Sequence, residues 1–265
     1  MKYRLAEDAK PQLKLLIIAT LVSVGIWIAS WYLPFAAYIV YPIQLFATFV
    51  HEGGHVLATL MTGGSVQSLT VSPDTSGLVW SLTQEGNWLQ AFLVSSAGYV
   101  GTTIFGVLLL TWFRYGYSSR NALYFSSGFV GIMTLVFGLL APIWNVFNGK
   151  FSVMSVAFTV ISGAVITAGL FAIAKFAELK WVNFSLAFLA VQCLLNAIFS
   201  LKTLFLISAT SETHSDAVNM AQATGVPSLF WVTLWIVISI VVISLGLRVY
   251  AVSNQTKNHD LPFED

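Results

Sequence analysis

The sequence predicts an all-α polytopic membrane protein of about seven transmembrane helices with one short β-hairpin. Three observations carry this. The 265 residues are 57% hydrophobic and only 9% charged, whereas a soluble domain carries about a quarter charged residues. The apolar residues gather into runs of about 20, the length a helix needs to cross a bilayer. Between two runs the pattern switches to strand-like alternation around a turn. Scarce charge and a net charge of +1 exclude disorder, coiled coil and nucleic-acid binding. The single cysteine, Cys193, allows neither an internal disulfide nor a Cys-based metal site.

The runs cover 13–32, 35–61, 89–113, 122–144, 152–176, 184–208 and 228–249. Leu33 and Pro34 break the first two into a helical hairpin. The first run has a basic flank (Lys2, Arg4, Lys10, Lys14) and ends near Ala29 and Ser30. It is longer than a signal-peptide core and leads straight into another span, so it reads as an uncleaved span. Residues 1–12 and 251–265 are polar tails. The whole chain, 1–265, reads as a single membrane-embedded domain with its core at 35–230. With the N-terminus inside, the inner face holds the four N-terminal basic residues and Lys150. The outer face then holds Arg114, Arg120, Lys175, Lys180, Arg248 and Lys257. That is a near tie, in which the first segment favours the N-terminus inside. Seven spans place the two long polar connectors, 62–88 and 209–227, on one membrane face.

The second run ends Phe49-Val50-His51-Glu52-Gly53-Gly54-His55-Val56-Leu57-Ala58, an H-E-x-x-H on a helix. Residues four apart lie one turn above each other, so both imidazoles reach one metal ion. Glu52 projects about 100° around the helix from His51 and flanks the metal instead of ligating it. A carboxylate there can take a proton from water and pass it to a leaving amine. Neutral imidazole and carboxylate donors suit one catalytic Zn²⁺. The competing reading is a pair of hydrogen-bonded core histidines. Two His and a Glu within five residues are expensive inside lipid, which favours the metal site.

Gly53 and Gly54 each cost about 1 kcal/mol in a helix interior relative to Ala. They either clear space for a substrate backbone or allow close helix packing. The third run carries a matching ridge of small residues, Ala97, Gly98, Gly101, Thr102 and Gly106. After the Thr62-Gly63-Gly64 helix stop, Leu69 and Val71, then Leu78, Trp80 and Leu82, alternate around a turn at 73–77. The hairpin is either scaffold or an edge that receives an extended substrate by strand addition. Lys202 reads as a snorkelling lysine. Asn196 reads as an interhelical hydrogen bonder or a site residue, and Tyr99 as packing. Asn145 and Asn148 fall at a span end, and His259 lies in the tail.

These residues resemble the site-2 protease class of intramembrane zinc metalloproteases, within it a compact bacterial and plant-type branch. The resemblance rests on His51-Glu52-Gly53-Gly54-His55 inside a span and on the exit Thr62-Gly63-Gly64-Ser65-Val66. It continues through the Ser76-Gly77 turn, the Ala97-Gly98-Tyr99-Val100-Gly101 span and a late Ser215-Asp216. It implies His51 and His55 as zinc ligands and Glu52 as catalytic base. It also implies a site nearer the cytosolic face of a plasma or inner membrane. The family's His/His/Asp set implies an aspartate as third ligand. The second long connector holds Glu212, His214 and Asp216, and residues 215–224, closed by Gly225 and Pro227, read as a short helix. Asp216 in its first turn suits the helix dipole in any case. Asp216 is the expected third ligand and His214 the alternative.

The expected function is zinc-dependent endopeptidase action in the lipid bilayer, on a peptide bond in or near a transmembrane segment of a membrane protein. The alternatives are a non-enzymatic substrate-binding pseudoprotease or a metal-handling transporter. The intact Glu52 opposes the first, and the lack of a second copy of the motif opposes the second.

Overall fold

The computed structural model describes residues 10–84, 86–147, 151–210 and 215–251. It contains α1 (Lys10–Tyr32), α2 (Pro34–Met61), β1 (Ser65–Val71), β2 (Gly77–Leu82), α3 (Trp88–Arg114) and α4 (Ser119–Ile132). A π-helical segment (Met133–Leu140) continues α4 into α5 (Ala141–Trp144). α6 (Val153–Phe176), α7 (Leu179–Thr210), α8 (Asp216–Thr224) and α9 (Ser228–Ala251) follow. Among the described residues, six stretches are long and apolar enough to cross a membrane, and the chain is an integral multi-pass membrane protein. The seventh expected span, α2, has the length at 28 residues. Its apolar character is diluted by Gln44, Thr48, His51, Glu52 and His55.

The break before α2 falls at Leu33, whose extended backbone (φ −125°, ψ 102°) is what a following proline enforces. Pro34 starts the helix, where its missing N–H costs nothing. The fourth expected span is not uniformly α-helical. Pro142 cannot donate to the carbonyl four residues back and its ring crowds that turn. Just upstream the helix widens, and the Ala141 N–H bonds the Val136 carbonyl five residues away.

α3 is the central helix, packed against α2, α7 and α9. Gly54 of α2 lies so close to α3 that a methyl there would overlap the Ala97 carbonyl. A methyl on Gly53 would overlap the Phe129 ring of α4. Both glycines are therefore filled by neighbouring helices, and the space beside them is not open to a substrate. Arg114 and Arg120, expected as loop charges, are tied to helix ends instead. Arg114 donates to the Tyr250 carbonyl at 2.8 Å, and Arg120 donates to the carbonyls of Ala174 and Ala177 that end α6.

The hairpin forms as expected, with Val71 opposite Gly77, Ser65 opposite Leu82 and an irregularity between Val66 and Ser68. Asp74 accepts from the Ser76 N–H at 3.0 Å and from the Ser76 hydroxyl at 2.6 Å. These bonds hold the Asp74 carboxyl below the usual carboxylate range. The turn is moored to α2: Tyr41 donates to the Pro73 carbonyl and Thr48 to the Thr75 carbonyl, each at 2.7 Å. β1 is buried along most of its length rather than alternating, since α2 and α6 both pack on it. The Val71 N–H donates to the Thr159 hydroxyl of α6 at 2.7 Å, which satisfies its outer edge there. β2 is the outer strand, with Leu78 and Leu82 exposed.

Candidate metal centre

His51 and His55 lie one turn apart in the C-terminal half of α2, with their Nε2 atoms 3.1 Å apart. The His55 Nδ1 contacts the Val94 carbonyl of α3 at 2.7 Å. A carbonyl can only accept, so Nδ1 donates in this contact, and Nε2 is the ring nitrogen turned towards His51 and Asp216. Gly98, one turn further along α3, makes room for the pair. A methyl there would overlap the Nε2 atoms of both histidines.

Asp216 reaches the same point from the other end of the chain. Ser215 caps α8 by accepting from the Val218 N–H, and Gly225 closes it in the left-handed conformation (φ 73°). Ala217 and Met220 are fully buried, Met220 in a cluster with Leu204, Val232 and Trp235 that packs on Tyr99 and Val100 of α3. That packing sets the first residue of α8 beside the histidines. Asp216 Oδ2 lies 3.3 Å from His55 Nε2 and 3.6 Å from His51 Nε2. Burial opposes ionisation of Asp216, but the two imidazoles outweigh it and hold its carboxyl below the usual range.

One ligand atom from each of His51, His55 and Asp216 lies within 4.8 Å of the others, and this cluster could hold a metal ion. The donor set fits zinc: two imidazole nitrogens and one carboxylate oxygen, with one histidine already oriented by a backbone carbonyl. Glu52 is buried beside them, 5% exposed, with its carboxylate against the Gly77 backbone of β2.

The two long connectors thus converge on one point, one supplying the hairpin and the other Asp216. His214 and Glu212 lie outside the described residues. The Asn196 amide donates to the Ser200 hydroxyl along its own helix at 3.4 Å. Lys202 is exposed. No role for Gly77 or for the Val94 carbonyl follows from the sequence alone, and Gly98 enters there only as part of a packing ridge. The Ser76-Gly77 turn and the Ala97-Gly98 pair were the available signals.

A bundle of membrane-length helices around a partly buried His51, His55 and Asp216 cluster that could hold a metal ion is the arrangement of a membrane-embedded metal site. The chain belongs to the Peptidase M50B-like family, which it matches over residues 15–246. That family falls in the site-2 protease class of intramembrane metalloproteases. No curated protein and no solved structure matches the chain.

Proposed function

We propose that this protein is a zinc-dependent intramembrane endopeptidase that hydrolyses a peptide bond in or near a transmembrane segment of a membrane protein. The observation that carries the reading is the convergence of His51, His55 and Asp216 ligand atoms within 4.8 Å beside the buried Glu52. These three residues would hold the zinc. Zinc, when bound, supplies Lewis acidity at the scissile carbonyl and the attacking water. The Glu52 carboxylate accepts a proton from that water and returns it to the amine nitrogen of the leaving strand. The surrounding helices restrict water to the site.

A helical substrate hides its peptide groups, so it must unwind before cleavage. β2 is the outer strand of its sheet and lies against Glu52. An outer strand offers unpaired backbone groups to an extended segment. Strand addition there brings a scissile peptide group alongside Glu52. We take residues 35–230 as the catalytic core of a single domain, in a plasma or inner membrane with the site nearer the cytosolic face.

The test is metal analysis of the purified chain paired with cleavage of a reconstituted transmembrane substrate. The expected result is one zinc per chain, cleavage lost on chelation and restored by zinc. A chain that holds zinc yet turns over no membrane substrate supports a non-enzymatic role instead.

A further inference from the structure

The two histidines are held in different ways. His55 is fixed by the Val94 carbonyl, and its side chain is 8% exposed. His51 has no counterpart of that bond among the described residues, and its side chain is 18% exposed. Metal-ligating histidines ordinarily need an outer partner that sets the ring plane. At His51 that partner is aromatic. The Tyr99 ring stands edge-on to the imidazole, with centroids 4.6 Å apart and planes at 83°.

Tyr99 is itself backed. Trp235 of α9 stacks on it, with centroids 5.5 Å apart and planes at 17°. Trp235 is fully buried, and its indole N–H donates to the Ser96 hydroxyl of α3 at 2.8 Å. The hydrogen bond fixes the indole, the indole fixes the phenol ring, and the phenol ring walls one side of His51. Edge-to-face contact has a preferred geometry, so the wall orients the ring as well as excluding lipid and water.

We propose that Tyr99, backed by Trp235 and Ser96, is a positioning residue that holds the His51 imidazole in its metal-binding orientation. This rests on the zinc reading above. The ring acts, not the hydroxyl, and the device ties a metal ligand on α2 to α3 and α9.

The experiment uses the full chain purified in detergent. It measures zinc release into a chelator, the visible absorption of the cobalt-substituted protein and melting of the metal-free form. Tyr99→Leu is expected to release zinc about tenfold faster and to shift the cobalt bands. Tyr99→Phe stays within about twofold of wild type in release, with unchanged bands, because it keeps the ring. Phe188→Leu, which removes a stacked ring on α7, controls for lost packing and is expected to lower melting alone. If Tyr99→Leu does not fold, Tyr99→Met fills the space without a ring and is expected to behave in the same way.

Zinc release and cobalt bands for the ringless variants that match Phe188→Leu overturn the proposal. So does a Tyr99→Phe variant as fast as Tyr99→Leu. His51→Ala separates the two readings. Zinc retained in that variant sinks the metal site itself, whereas zinc lost there and kept normally without the Tyr99 ring sinks only the positioning role.

Discussion

The Glu52 carboxylate rests on the backbone of Gly77, so close that a methyl group at residue 77 would overlap its oxygen. A helix and a strand thus meet at this carboxylate with no side chain between them.

Gly77→Ala should therefore displace Glu52 while leaving the histidines and Asp216 in place. Zinc content is expected to stay normal and the cleavage rate to fall about 100-fold, the scale of an ångström misplacement. Gly98→Ala should do the opposite, since its methyl meets both Nε2 atoms. It is expected to weaken zinc binding by about tenfold or more. Zinc titration and cleavage on both variants check the pair, and an identical phenotype would contradict the division of roles.

Glu52→Gln is expected to keep zinc and lose at least about 100-fold in cleavage, since an amide cannot accept the proton from water. Wild-type turnover in that variant removes the mechanism.

His51→Ala and His55→Ala are expected to lose zinc together with activity, because the two remaining ligands cannot hold the ion at trace concentration. Normal zinc stoichiometry in both, read by metal analysis, shows that the ion lies elsewhere.

The third ligand is tested by comparing Asp216→Asn with His214→Asn. The first is expected to lose zinc and cleavage, and the second to retain both. If Asp216→Asn behaves as wild type, Asp216 serves only as the acidic start of α8.

Thr159→Val keeps the shape of the side chain and removes the acceptor for the Val71 N–H. A buried N–H left without a partner costs about 1–3 kcal/mol. Thermal unfolding in detergent should shift down, and amide exchange at Val71 should speed up. No change in exchange means that another group takes over the bond.

What the sequence revealed follows from distance along the chain. His51, Glu52 and His55 share one turn of one helix, so their spacing alone placed two imidazoles together. The Ser215 cap and Gly225 stop bound α8 by local chemistry in the same way. The Gly77 and Gly98 contacts join segments remote in sequence, and a glycine does not announce what it makes room for. Gly53 and Gly54 are ambiguous in the sequence for that reason, since nothing in it places Phe129 and Ala97 against them. The π-helical turn before Pro142 was hidden because a proline signals disruption without saying how the helix absorbs it. Tyr99 looked like packing because an aromatic in an apolar run carries no mark of the imidazole beside it.

The moorings of the hairpin turn to Tyr41 and Thr48 have a mechanical consequence. The turn and Glu52 are both tied to α2, so a tilt or slide of α2 moves Glu52 with both histidines and pulls on the turn beside them, while β1 stays tied to α6 through Thr159. Asp216 rides on α8, which packs on α3 and α9 rather than on α2. The cluster is therefore divided between α2, which carries His51 and His55, and α8, which carries Asp216, with α3 packed on both. A rearrangement of α8 against α2 would separate Asp216 from the two histidines while leaving Glu52 beside Gly77.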